Sequence, residues 1–483
     1  MTRALVCLSI FAAVAAAGAS ASAQALDPGE VLVGASKVNI APRPNALLGK
    51  IWEQDETRCE LGLGLDPLWA INTRLPWPEN PNCIYRGGFG IGPMNALTSF
   101  DPQYGLWVRS VVISDGTDTA VLTLIDGTYY LGRYKNMCTR CGAFALAEDL
   151  GAELRISPSG FLISATHSHD SPDFIGGWGG VPQWYMDQVT DAIRQSVREA
   201  YANRRPARIE VGDKLARGHN NERRNVYWSA EDPTLSWFRA TDRGGAVIAT
   251  VAAYAAHPTS GPHNAEASAD WHGRFSHATE ARFGGIALGF PGGLGNMSTS
   301  GGRDMGLALS AQLPNIGQGT PVANPDVRSR QVFWNHPVTN SGLLALGTPG
   351  LFDRPFESTP ANVSAGKGAN NRCQSASATS VRTAVSAIRV GNMTITAGPG
   401  ELFSNLTNTI EEREFQRGQT AIPISIANDG LGYIMQAFEY DPVGGQVVGF
   451  LSEDVGYEDA YAIDRCFGDK VLEETLNLLN SGF

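Results

Sequence analysis

The chain has 483 residues, a formal charge of −11, 18% charged and 43% hydrophobic residues, which is enough apolar content for a large core and excludes a disordered chain. Its acidity, with no Lys/Arg cluster anywhere, excludes a nucleic-acid partner, because such a partner selects for a basic face. The 55 glycines and 27 prolines imply many turns and long irregular connections.

In chain order, the first segment reads as a processing signal. Arg3 precedes an apolar run over 4–17, and Ala21-Ser22-Ala23 forms an A-x-A site. Residues 1–23 are therefore expected to be removed after Ala23, leaving 24–483 as a secreted or periplasmic protein. The apolar run is too short to span a bilayer and no later one is long enough, so no transmembrane segment is expected. Of seven cysteines, Cys7 falls in the signal. Cys59, Cys83, Cys138, Cys141, Cys373 and Cys466 form an even set, which favours disulfides in an oxidising compartment. Cys138-Thr139-Arg140-Cys141 is read as a local disulfide; the alternative, half of a four-thiolate zinc site, lacks a second C-x-x-C.

Strand-like runs at 31–34 and 37–42 lead into 45–86, an elaborated loop region pinned by Cys59 and Cys83. The glycine-rich stretch 86–94 has no G-K-S/T and so no phosphate-loop pattern. Runs at 106–113 and 119–126 around Ser114-Asp115-Gly116 predict a hairpin. Helical spacing covers 143–154 and 185–201, where Met186, Val189, Ile193 and Val197 form a core stripe. Residues 161–163 end a buried strand just before the densest polar stretch, 164–180. There His167 and His169 stand one residue apart, which in extended chain points both imidazoles to one face, with Asp170 and Asp173 behind them. H-x-H at a strand end suits a metal because neutral imidazole is a favoured zinc ligand; the bland reading is a solvated turn.

Strands at 208–212 and 246–256 flank a polar loop over 218–227 that carries Asn220, Asn221, Arg223 and Arg224. The second strand runs straight into His257. Residues 257–277 form another polar cluster, with Ser268, Asp270 and His272, too polar for a core helix. A short strand at 285–290 precedes a glycine turn, and 313–376 reads as a long irregular excursion or lid. Strands at 384–390 and 393–397 follow, the second ending at Gly398-Pro399-Gly400-Glu401. A helix at 405–417, a strand at 422–427 that enters Asn428-Asp429-Gly430-Leu431-Gly432-Tyr433, and a helix at 470–480 close the chain. No repeat or linker appears, so the fold class is α/β: one domain of mixed β-sheets with flanking helices.

The chemistry recurs at one kind of place. His167, His257, Glu401 and Tyr433 each stand after an apolar strand, and strand ends of one sheet meet at its rim. Two imidazoles, a carboxylate and a weaker oxygen are what a catalytic zinc holds, with a position left open. Taken singly, each residue also has an ordinary structural reading as a cap or a packed side chain. Ser268 could attack a carbonyl, but no G-x-S-x-G elbow exists, so activated water is the more economical nucleophile. The helix-borne H-E-x-x-H zinc motif is absent.

On these residues the chain resembles the neutral/alkaline non-lysosomal ceramidases, zinc amidases that cleave the N-acyl bond of sphingolipids. Val33-Gly34-Ala35-Ser36-Lys37-Val38-Asn39-Ile40-Ala41-Pro42 resembles the family's opening. Gly105-Leu106-Trp107-Val108-Arg109 with Asp126 is similar to its L-x-x-R strand and downstream aspartate. Ala165-Thr166-His167-Ser168-His169 is similar to A-T-H-T-H, His257-Pro258-Thr259-Ser260 to the second histidine, and Ser268-Ala269-Asp270-Trp271-His272-Gly273 to the catalytic-serine segment S-G-D-x-x-G. Pro399-Gly400-Glu401-Leu402-Phe403 and Asn428 to Tyr433 resemble P-G-E-F/x and N-D-x-x-x-Y.

The resemblance implies Zn2+ held by His167, His257, Glu401 and Tyr433, with His169, Ser268 and Asp270 catalytic. It implies a lipid-like N-acyl substrate reached from a membrane surface, with Asn220 and Arg223 against it; Asp170, which follows the histidine pair, is expected there as well. His169 or Asp270 would then give the proton to the departing amine. Two departures qualify this. Asp170-Ser171-Pro172-Asp173 stands where the family has S-G-P-G-G, so the rim is expected to gain two carboxylates. The chain also leaves no room for the family's C-terminal β-sandwich. The alternative is therefore a zinc amidase or esterase on a non-sphingolipid acyl substrate.

Overall fold

The computed structural model describes residues 25–59, 82–89, 92–224, 229–261, 265–347, 352–366, 372–440 and 456–483; the expected processing signal and most of the 45–86 loop region lie outside the described residues. Long β-branched and apolar runs build the main sheet. One half of it is β1 (Val31–Asn39), β2 (Trp107–Ser114), β3 (Thr119–Ile125) and β4 (Phe161–Ala165). The other half is β5 (Arg205–Leu215), β6 (Thr234–Asp242), β7 (Val247–Tyr254) and β8 (Ile286–Pro291). The strand order is β8-β7-β6-β5-β1-β2-β3-β4, with Thr320–Pro321 added beside β5. β2 and β3 are the expected hairpin, closing at Ser114 opposite Thr119.

Period-two alternation decides which core each strand residue enters. Val112 and Val121 pack with Leu150 and Val197, from α1 (Ala143–Leu154) and α2 (Gln183–Ala202). Their neighbours Val111, Ile113 and Leu122 face the other way, into a core shared with a second sheet. That sheet is β9 (Val327–Pro337), β10 (Ser380–Val390), β11 (Met393–Ala397) and β12 (Thr420–Ile424), in that order. Met186, Val189, Ile193 and Val197 are all fully buried, as the stripe on α2 requires. The fold is therefore mixed α/β, with helices on one side of the main sheet and a smaller sheet on the other.

Two segments differ from the sequence expectation. The 313–376 excursion contains β9, paired along its whole length with β10, and a hairpin of Ala361–Ala365 with Cys373–Ser377. β9 is an edge strand with much of its surface in water, so its apolar alternation is diluted by Arg328, Ser329, Arg330 and Gln331. The 257–277 cluster contains the start of α3 (Asp270–Phe283), a helix that buries Asp270, His272, Ser276 and Thr279 beside Trp271 and Phe275. Two of these buried groups find partners in other elements: His272 Nδ1 meets Gly289 O at 2.6 Å and Thr279 Oγ1 donates to Ser310 Oγ at 2.9 Å.

The sheet's curl brings the chemistry together. β4 and β7 lie six steps apart in the strand order and run in opposite senses through the pairing pattern. β8, beside β7 at one edge, also touches β4 at the other edge, so the sheet curls and brings the ends of β4 and β7 to one region. His167 follows β4 and His257 follows β7, and their ring centroids are 5.1 Å apart.

Three disulfides join Cys59 to Cys83, Cys138 to Cys141 and Cys373 to Cys466. The local pairing expected of the C-x-x-C is thus present. Cys373–Cys466 ties the hairpin after β9 to the start of the last helix, α4 (Phe467–Asn480).

Candidate metal centre

Two strand ends and one parallel pair form the centre. His167 leaves β4 through a turn with φ +61°, an unfavourable left-handed conformation that costs of order 1–3 kcal/mol and persists only where the surroundings impose it. Its N–H donates to Gly127 O at 3.0 Å, and its Nδ1 lies 2.9 Å from Thr128 O. His167 and His169 therefore meet, with centroids 4.9 Å apart, through a turn and not through the strand alternation expected from sequence. His257 is fixed in the same way by Leu294 O, 2.7 Å from its Nδ1. Glu401 and Tyr433 are register partners in the short parallel pair Glu401–Leu402 with Tyr433–Ile434.

The donor set fits a cation. With Nδ1 of His167 and of His257 each against a backbone carbonyl, both rings turn Nε2 inward. Glu401 Oε2 faces those nitrogens at 3.5 Å and 3.0 Å. His257 Nε2 and Glu401 Oε2 are buried and have no hydrogen-bond donor between them. Two lone-pair atoms held together without a proton call for a positive charge. Burial, aided by the Arg223 cation, brings His257 down to about 4, and burial with the neighbouring imidazoles holds His169 well below its ordinary value. Both are neutral near pH 7, the form that binds metal. The ring nitrogens of His167, His169 and His257 lie within 4.8 Å of one another, so this group could hold a metal ion.

The remaining sequence candidates separate into neighbours of the centre and framework residues. Tyr433 has its ring centroid 6.1 Å from that of His257, and its hydroxyl accepts from Arg223 Nη2 at 2.9 Å. Arg223 also donates to Glu458 and Gly295 O, so it joins three segments beside the centre. Asn220 is different: its amide gives its hydrogens to Asp232 O and Ala255 O, which is a framework role in the short strand Asn220–Glu222 and not a substrate contact. Ser268 is buried, and its Oγ accepts from Asp270 N at 3.0 Å in a turn before α3; no base hydrogen-bonds it among the described residues. Asp270 accepts from Ser260 N, and burial with the Asp170 charge beside it pushes its carboxyl up to about 6.

The expected rim carboxylates are not on the rim. Asp170 and Asp173 are both fully buried. Asp170 is held by Arg86 at 3.3 Å and Arg303 at 3.1 Å, so it stabilises the loop framework and does not present a free charge to substrate. Asp173 accepts from the N–H groups of Ile175, Gly176, Trp178 and Gly180, and closes the glycine loop on itself.

Tyr129 was missed by sequence reasoning. Its hydroxyl donates to Glu401 Oε1, the oxygen that does not face the histidines, and its ring packs edge-on against His167 at 4.7 Å. It follows β3 by a few residues, so the strand-end argument extended to Asp126-Gly127-Thr128-Tyr129 would have reached it.

No protein-family model and no characterised sequence matches the chain. Solved structures do. The neutral ceramidase from Pseudomonas aeruginosa superposes with a TM-score of 0.60 at 15% identity, covering 91% of this chain and 76% of that one. A ceramidase complexed with C2 gives a TM-score of 0.59 at 15% identity, covering 91% and 77%. At that identity the likeness is one of backbone architecture, and by it the chain has the fold of the neutral ceramidases.

Proposed function

We propose that the protein is a zinc-dependent amidohydrolase that cleaves the N-acyl amide bond of ceramide-like lipids, in a secreted or periplasmic setting. The observation that carries this reading is the 3.0 Å approach of His257 Nε2 to Glu401 Oε2, buried beside His167 and His169. The ceramidase fold supports the substrate class, and the three disulfides support an oxidising compartment.

In this reading His167, His257 and Glu401 hold the zinc, with Tyr433 as a further oxygen donor. When bound, zinc supplies Lewis acidity that polarises an acyl carbonyl and activates water. Thr128 O and Leu294 O fix the tautomers of His167 and His257, and Tyr129 orients Glu401. His169, neutral and with Nε2 3.4 Å from His167 Nε2, takes a proton from the attacking water and passes it to the departing amine. Asp270 anchors the start of α3 through Ser260 N, while Arg223 holds the Tyr433 hydroxyl in place.

Metal analysis and chelation test the reading. The purified protein is expected to contain about one zinc per chain, to lose N-acyl amide hydrolysis on chelation and to regain it with zinc. Full activity in metal-free protein would refute it. A panel of acyl amides and esters decides the substrate: preference for non-sphingolipid acyl compounds would select the amidase or esterase alternative on the same site.

Tyr129→Phe isolates the support given to Glu401. Loss of that hydroxyl is expected to weaken zinc affinity roughly tenfold, read by competition with a chromophoric chelator, with little change in fold stability. Unchanged affinity would reduce Tyr129 to a packing residue.

A further inference from the structure

The turn after β1 places large apolar side chains in water: Leu47 is 97% exposed, Leu48 69% and Ile51 48%. Single exposed leucines are ordinary, but adjacent ones at the tip of a built turn are not. The turn is self-contained. Asn45 N donates to Lys50 O and Lys50 N to Asn45 O, Leu48 N to Asn45 O, Gly49 N to Ala46 O, and Leu47 N to the Asn45 side chain at 3.1 Å. Gly49 closes it with φ +68°. The N–H groups of Leu47, Leu48, Gly49 and Lys50 are therefore satisfied within the turn, which lowers the cost of moving its tip into a less polar medium.

The turn is also near the centre. β1, β3 and β4 run in the same sense, so the turn and His167 leave the same end of the sheet. Trp52 Nε1 donates to Leu97 O at 3.1 Å and Glu53 N to Asn82 O at 2.8 Å, which joins the turn to the 82–97 segment. Phe89 of that segment packs edge-on against His169, with centroids 5.2 Å apart. Under Leu48 lies a cleft of about 300 Å³ whose lining includes Arg43, Lys50, Trp184, Asp187 and Asp191. Its two cations and two carboxylates beside an indole complement a headgroup carrying both charges, and not a purely anionic surface.

We infer that this turn seats the protein on a zwitterionic lipid bilayer. Leu47 and Leu48 enter the acyl layer, and the mixed-charge cleft meets the headgroups. The inference goes beyond the proposed reaction, and binding can be measured without any turnover.

The test is co-sedimentation of the full chain with phosphatidylcholine vesicles. Wild-type protein is expected to bind and to stay bound at high salt, because insertion and not charge attraction holds it. Leu47→Ser with Leu48→Ser is expected to weaken partition about 100-fold, at about tenfold per leucine, with an unchanged circular dichroism spectrum since both side chains lie outside the core. Three results would overturn the inference: equal binding by the double variant, wild-type binding only to phosphatidylglycerol vesicles at low salt, or a wild-type dimer in sedimentation velocity that the variant dissociates. If the reaction proposed above holds as well, the variant loses hydrolysis of vesicle-embedded substrate and keeps that of a water-soluble short-chain one. A failed activity assay with intact sedimentation results would count against the reaction alone.

Discussion

Glu401→Gln is expected to lower N-acyl amide hydrolysis by about a thousandfold and to remove the bound zinc, well beyond the roughly 10–100-fold loss expected of an outer partner. The substitution keeps the shape of the side chain and removes its charge, leaving only neutral imidazoles and a phenol around the divalent ion. Stability provides a second readout that moves the other way. Without metal, the buried carboxylate stands 3.0 Å from the neutral His257 Nε2 with no cation beside it, an arrangement that opposes folding. Metal-free Glu401→Gln is therefore expected to be at least as stable as metal-free wild type. Adding zinc should raise the melting temperature of wild type by mass action and leave the variant where it was. A variant that keeps its zinc and its turnover would remove Glu401 from the centre.

The parts of the site legible in sequence were those marked by a strand end. His167, His257, Glu401 and Tyr433 each follow an apolar run, and the geometry brings the first three within ion-binding distance and pairs the last two in register. What sequence could not supply was the partner of each charge. Asp170 meets Arg86 and Arg303 across 84 and 133 residues of chain, so nothing local distinguished a buried ion cluster from two carboxylates on an open rim. The polarity of 257–277 similarly concealed α3, because the acceptors that satisfy His272 and Thr279 come from Gly289 and Ser310. β9 was hidden for the opposite reason: an edge strand has no need of two apolar faces.

Removing the carboxylate from that cluster is expected to cost more stability than any other single change at the loops around the centre. Asp170→Ala leaves the Arg86 and Arg303 guanidinium groups, with side chains only 6% and 11% exposed, without the charge they share. Breaking a buried pair in this way costs about 3–5 kcal/mol, read as unfolding free energy in urea. Gly261→Ala should reproduce much of the loss, since its Cβ would stand 1.2 Å from Asp170 Oδ2. The pH dependence separates a charge effect from a lost contact. Asp270, which burial and the Asp170 charge raise to about 6, keeps its proton in the folded protein between roughly pH 4 and 6, where the unfolded chain has released it. Its contribution to stability is therefore present below pH 4 and is lost as pH rises toward 6. With Asp170 gone the Asp270 value falls back toward that of the unfolded chain, and the slope over this window should flatten. An Asp170→Ala protein as stable as wild type, with the slope intact, would return Asp170 to the open rim that the sequence suggested.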